Sequence, residues 1–339
     1  MMRILYYSVH AVLEYDEVGL LRRLGHEVLS LGEYFDAALR QGMRPPLPES
    51  PAEAELRAAF HAEGCRFRRF CAPEEVVLTP AFLARCDAVV VMHSTRFIEH
   101  HWEVLRSRPV ILRCIGVDLD SAEPRIAALR ARGVKVVRYA ATEERAPGYA
   151  GADALIRFHK DPEAFLPWSG HQRQVLMFAM ALRRRFPQEA ALWEETVAGL
   201  PAILAGAENE GSTGAVGFVD HDRQRALLAE SRAYLYASGL HIPYTLNLIE
   251  AWMAGIPLIA LDDRLIPRAL DVAEWPMLLR PGHDSLLARS PAEAREMLTA
   301  LFDNHGFAAR LGAEGRAAAI RLFGTPRIAP QWQALLQSL

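Results

Sequence analysis

Short runs of β-branched and apolar residues alternate with longer amphipathic stretches along the whole chain. This alternation limits the possible folds more than any other feature. Arg3–Tyr7, Glu27–Leu31, Ala88–Met92 and residues 109–115 and 134–139 read as strands. Residues 14–24, 80–85, 97–107 and 125–132 read as the intervening helices, and residues 152–158 close the series. Runs as apolar as Ala88-Val89-Val90-Val91-Met92 suit parallel strands covered on both faces. Strand–helix alternation at this spacing predicts an α/β fold with a doubly wound parallel sheet.

A second alternation begins after His159-Lys160-Asp161-Pro162 and Pro167-Trp168-Ser169-Gly170. Here the strands are expected at 175–178, Ala202–Ala205, 233–237 and 257–261. The helices are expected at Pro187–Val197, 222–230, 245–254, 291–304 and 308–323. Gly255 stops the helix at 245–254, and Gly324 with Pro326 breaks the one ending at 323. Residues 328–339 form a last helix. The expected domains are therefore 1–166, 167–323 and a C-terminal helix in 324–339 that returns to the first domain. Residues 41–70, Pro-rich between 43 and 51, read as an insertion over the first domain.

A chain of 339 residues has room for two domains of about 150 residues. Its formal net charge of −3 gives no global basicity for nucleic acid or an anionic membrane. Cys65, Cys71, Cys86 and Cys114 form no C-x-x-C pair, which fits a reduced cytoplasm. No stretch supplies 18 uninterrupted apolar residues, so a membrane span is not expected. Lys135 and Lys160 are the only lysines in a chain otherwise rich in arginine.

The segment most informative about chemistry runs from Tyr234 to Leu261, YLYASGLHIPYTLNLIEAWMAGIPLIAL. It reads as strand, loop, helix, glycine, strand. Thr245 is a plausible N-cap, because its hydroxyl can accept an orphan N–H of the first turn. A helix opening at the carboxyl edge of a strand is a natural anion site. Glu250, in the second turn, can accept hydrogen bonds from vicinal ribose hydroxyls.

These residues resemble the donor-site motif of family-4 retaining glycosyltransferases of the GT-B fold. Glu250, Ala251, Ala254, Gly255, Pro257 and Ile259-Ala260 match the second half of that family's Glu-x7-Glu motif. The motif's first glutamate, which binds the transferred sugar in the family, falls on Ile242 here. The resemblance implies two Rossmann-like domains facing across a cleft, an acceptor domain first and a donor domain second. The cysteine usage and the lack of a long apolar run give a cytoplasmic location as the expectation, with at most peripheral contact at the inner face of the membrane. The implied activity is transfer of a sugar from a nucleotide sugar to a glycan, lipid-linked or small-molecule acceptor. Retention of configuration, no cofactor and no required metal follow from the same resemblance. The Ile242 departure keeps a second reading open, a degenerate GT-B protein that binds nucleotide or glycan without transfer.

The remaining site residues come partly from the family's plan and partly from strand ends at the ligand-binding edge of the first sheet, where this chain lacks the family's glycine-rich loop. Tyr244, Thr245, Leu246, Asn247 and Glu250 are expected on the donor, with Arg184 and Arg185 on its diphosphate. Guanidinium groups fork onto phosphate oxygens and can neutralise a leaving diphosphate. Cations are unfavourable at a helix start, which favours a functional reading of this cluster. His93 and Arg113, at the ends of successive strands, are expected at the catalytic centre. His10 and Glu14, after the first strand, are expected on the acceptor. D-x-D spacing at Asp118/Asp120 and Asp220/Asp222 is too short a pattern to assign a metal. Arg66-Phe67-Arg68-Arg69-Phe70 reads as a solvated loop with two core aromatics.

Overall fold

The computed structural model describes residues 1–36, 42–68, 72–116, 122–237, 242–266 and 270–339. Arg69, Phe70, Cys71, Asp118 and Asp120 lie outside the described residues. The chain forms two compact units. The first comprises Met1–His159 with Pro326–Leu339, and the second Lys160–Thr325. The division at His159/Lys160 falls several residues before the expected 166/167. Its cause is local: the Lys160 N–H donates to the Phe323 carbonyl at 2.9 Å, and Arg316 to the Pro162 carbonyl at 2.9 Å.

In the first unit, β1 (Arg3–Tyr7), β2 (Glu27–Leu31), β5 (Ala88–Met92), β6 (Val110–Arg113), β7 (Lys135–Arg138) and β8 (Ala154–Leu155) build one sheet in the order β2-β1-β5-β6-β7-β8. Every pairing is parallel. The strand expected at 152–158 shortens to the two residues of β8. Helices α1 (Ala11–Arg23), α4 (Thr95–Leu105) and α5 (Ala122–Ala131) connect the strands.

The described part of the expected insertion, residues 42–68, adds side chains to the core of the first unit. Within them, α2 (Pro51–Ala62) starts on a capping box formed by Ser50 and Glu53, which satisfies two orphan N–H groups reciprocally. It buries Leu56 and Phe60 in the same core as Val89 and Val91. The short β3 (Arg66–Phe67) pairs antiparallel with β4 (Val76–Val77), and Phe67 also joins that core. The one-turn α3 (Pro80–Leu83) leads into β5.

The second unit holds β9 (Gln172–Phe178), β10 (Ala202–Ala205), β11 (Ala215–Gly217), β12 (Ser231–Tyr236), β13 (Leu258–Leu261) and β14 (Leu286–Ala288). Their order is β11-β10-β9-β12-β13-β14, again all parallel. Its helices are α6 (Leu182–Arg185), α7 (Pro187–Val197), α8 (His221–Glu230), α9 (Leu246–Ala254), α10 (Trp275–Leu278), α11 (Pro291–Asp303) and α12 (His305–Phe323). Gly255 closes α9 with φ 79°, the left-handed turn that glycine adopts without strain. A Cβ added to Gly312 would lie 2.1 Å from the Gly255 carbonyl oxygen. Glycine at 312 is thus what lets α12 approach the end of α9.

The last helix, α13 (Thr325–Gln337), begins one residue after Gly324 and carries Pro326 in its first turn. The preceding helix stops at Phe323 with Gly324 as its C-cap, as expected, and Pro326 fits the first turn of the new helix, where its missing N–H costs nothing. Ile328 and Trp332 of α13 are fully buried. Among the described residues, no helix is long and apolar enough to cross a membrane.

Candidate functional site

Parallel strands of the second unit carry their loops at the carboxyl edge, where ligands of such sheets collect. Thr245 caps α9, accepting from the Leu248 N–H at 3.4 Å, and lies 3.2 Å from the Tyr236 phenol oxygen. Asn247, in the first turn, donates to the Phe178 carbonyl at 2.7 Å. The Phe178 N–H donates to the Tyr234 phenol oxygen at 3.1 Å. The ends of β9 and β12 are therefore laced to the tip of α9. Burial pushes the Tyr234 phenol well above its ordinary range, so it stays neutral within this lacing.

Glu250 sits one turn further along α9 and is 4% exposed. Its two oxygens have different partners. Oε1 pairs with Lys160 Nζ at 2.5 Å, and Oε2 accepts from Gln224 Nε2 of α8 at 2.7 Å. Sequence reasoning missed both partners. The one signal available was a lysine in a chain that otherwise uses arginine.

Arg184 and Arg185 lie in a helix of a single turn, α6, whose start and end are the same turn. The expectation of cations crowded at a helix start therefore does not apply to them. Ala181, with φ 52°, and buried Asn209 set the placement of α6. Asn209 accepts from the Leu182 N–H at 2.8 Å and donates to the Ala179 carbonyl at 2.7 Å. Arg184 pairs with Glu208 at 2.6 Å in the open, and Arg185 lies over the Phe186 ring. Such exposed pairs contribute about 0–1 kcal/mol, so either arginine can change partner at little cost.

Tyr244 does not offer its ring to a ligand. It is 1% exposed and packs edge-on against Phe323. Leu246 opens α9 half-buried, and its backbone N–H is one of the first-turn donors that have no acceptor within the helix.

In the first unit, His93 directly follows β5 with φ 58°. This left-handed conformation is uncommon outside glycine. Its N–H donates to the Arg113 carbonyl at 2.8 Å, and Gly116 lies against its ring. His93, Thr95, Cys114, Gly116, Glu123 and Arg125 line a pocket of about 50 Å³ at the carboxyl edge of this sheet.

Arg113 is a correction to the sequence reading. Its side chain has no exposure and is committed inside the unit. It pairs with Glu17 at 2.6 Å, donates to the Ile156 carbonyl at 2.7 Å and lies over the rings of Phe158 and Trp332. Tyr6 also donates to Glu17, at 2.7 Å. An arginine so enclosed ties elements together and cannot touch an acceptor.

Glu14 is the second correction. Its carboxylate is fully buried and accepts from Ser30 Oγ at 2.5 Å and from the Glu33 and Tyr34 N–H groups at 2.8 and 3.3 Å. It anchors the turn after β2 and does not face an acceptor. Half-buried His10 caps α1, with Nδ1 accepting from the Leu13 N–H at 3.4 Å. Among the described residues, no group of three or more His, Cys, Asp or Glu is placed to hold a metal ion. Asp220 caps α8, and Asp222 beside it is exposed.

Residues 183–334 match the family described as Glycosyl transferase-like. The fold is of the GT-B type. The matched segment runs from α6 to α13 and includes the Thr245 cap and Glu250. Among solved structures, this GT-B chain is similar to Anabaena Alr3699/HepE in complex with UDP and glucose. The TM-score is 0.67, with 15% identity over 100% of both chains. Sucrose-phosphate synthase from Thermosynechococcus elongatus gives a TM-score of 0.64 and 16% identity, over 100% of this chain and 99% of the other. A glycosyltransferase from Rickettsia africae gives 0.65 and 12%, over 99% and 98%. At these identities the likeness is one of fold. No curated protein matches the GT-B chain in sequence.

Proposed function

We propose that the chain transfers a sugar from a nucleoside-diphosphate sugar to an acceptor hydroxyl, with retention of configuration and without a required metal or cofactor. The observation that carries this reading is Glu250. It is a buried carboxylate one turn from a helix tip at the carboxyl edge of the second sheet, inside the family-matched segment.

In this reading Glu250 accepts the ribose hydroxyls, and the free N–H groups at the start of α9 face the diphosphate. Arg184 and Arg185 exchange their surface partners for phosphate oxygens, offsetting the charge that builds on the leaving diphosphate. The acceptor belongs to the first unit, near His10 and the His93 pocket. UDP is the first donor nucleotide to try, since Alr3699/HepE was solved with UDP and glucose. A cytoplasmic location, peripheral to the membrane at most, suits such a donor.

Glu250→Gln keeps the shape of the side chain and removes its charge. Hydrogen bonds to a charged acceptor contribute about 1.5–3 kcal/mol, so nucleotide affinity is expected to fall about tenfold or more. Unchanged affinity by calorimetry would falsify the donor-site assignment.

One observation favours a second reading. Ile242 stands where the resembled family carries a sugar-binding glutamate, so the chain binds a nucleotide or glycan without transferring sugar. Donor hydrolysis or transfer above background with UDP-glucose and related donors excludes this alternative.

A further inference from the structure

Lys160 stands out twice. It is one of two lysines among 38 basic residues, and it is buried, with its ammonium 2.5 Å from Glu250 Oε1. Its position does not depend on its own side chain. The Lys160 N–H is held by the Phe323 carbonyl at 2.9 Å, and Pro162, two residues on, by Arg316 at 2.9 Å. Arg316 also donates to the Met253 carbonyl on α9, and Gly312 brings α12 against Gly255 at the end of the same helix. One strap, residues 160–162, is thus fixed to α12, and α12 is fixed to the helix that carries Glu250. The strap delivers a compact point charge to one oxygen of the carboxylate, while Gln224 holds the other. An arginine fork would spread across both oxygens, whereas an ammonium leaves the second oxygen to Gln224.

We propose that Lys160 is a positioning residue for the donor site, fixing the charge and rotamer of Glu250 so that its carboxylate meets the ribose hydroxyls. This rests on the donor-site reading above. Lys160 does not touch the reacting atoms. Its effect is on recognition of the ribose, and it should appear in donor KM and leave kcat nearly unchanged.

The test uses the full chain, with UDP, ADP, GDP and CDP each paired with its 2′-deoxy form. Affinities are measured by calorimetry for wild type, Glu250→Gln, Lys160→Met and Lys160→Gln. Thermal transitions are recorded alongside, because a buried carboxylate stripped of its cation destabilises the fold. Lys160→Gln retains an N–H donor for Glu250 and is the variant to use if Lys160→Met does not fold.

Wild type is expected to prefer one ribonucleotide over its deoxy form by about tenfold. Glu250→Gln is expected to abolish that preference, and the Lys160 variants to reduce it below about threefold. A merely structural lysine would lower the thermal transition, or both affinities together, and leave the ratio intact. If wild type binds none of the nucleotides, or binds ribo and deoxy forms alike, the ribose role of Glu250 falls and this proposal with it. If wild type discriminates and the Lys160 variants discriminate equally, the Lys160 role alone is overturned. That role is overturned as well if neither Lys160 variant folds, since the lysine then serves the fold.

Discussion

Glu14 shows how far a side chain's role depends on what surrounds it. In the sequence it follows a strand and looks available to a ligand. In the structure burial pushes its carboxyl from 4.5 up to about 7, against the hydrogen bonds from Ser30 and two backbone N–H groups. Between those two values the folded chain holds a proton that the unfolded chain releases. The stability Glu14 contributes is therefore full below 4.5 and lost as pH rises through about 7. Glu14→Gln cannot ionise, and is expected to flatten this part of the pH dependence when urea midpoints are compared across that range. Arg113 was equally opaque, because its partner Glu17 lies 96 positions away. Lys160 and Glu250 are 90 positions apart. Helix periodicity reads neighbours three and four residues distant, and pairs like these exist only once the sheets have formed. The place of Glu250 on α9 was legible, because its setting is local: a helix, a cap five residues before it and a glycine five residues after.

Among the elements, α9 and α12 carry the clearest constraint. A methyl group on Gly312 would meet the Gly255 carbonyl at 2.1 Å and the Pro257 ring at 3.4 Å. Both neighbours belong to the main chain or to a stiff ring, so the helices must part. Gly312→Ala is expected to destabilise the protein by about 1–3 kcal/mol, seen as a lower urea midpoint with unchanged slope. Thr245→Ala removes the cap of α9 and is expected to cost about 1 kcal/mol in the same measurement. The long apolar strands β5 and β12 declare themselves in the sequence. The edge strands β11 and β14, three residues each, do not, because three residues display no period. For α6 the error was one of extent: a single turn has no separate start and end, so a dipole argument about its arginines had no footing.

For the molecule as a whole, the second unit is expected to carry the donor and the first the acceptor. A bound nucleoside diphosphate should therefore slow amide hydrogen exchange within residues 160–325 and leave residues 1–159 nearly unchanged, as read by mass spectrometry. The opposite pattern would move the donor to the first sheet. The first unit is discontinuous in sequence, and Trp332 from its far segment is fully buried against Arg113. Trp332→Ala is expected to cost about 3–5 kcal/mol. The loss should appear in the transition of the first unit, followed by hydrogen exchange at β6 and β7.

That discontinuity sets an order of events during translation. The strands β1 to β8 leave the ribosome first, yet the helix that covers Arg113 follows only after residues 160–325 have been made. At about 5–20 residues per second, the nascent first sheet waits for roughly 10–30 s with one flank uncovered. The second unit, continuous in sequence, can fold while the first is still incomplete. A chain released before residue 326 would combine a finished second unit with a first unit unable to close, a natural substrate for chaperones and proteases.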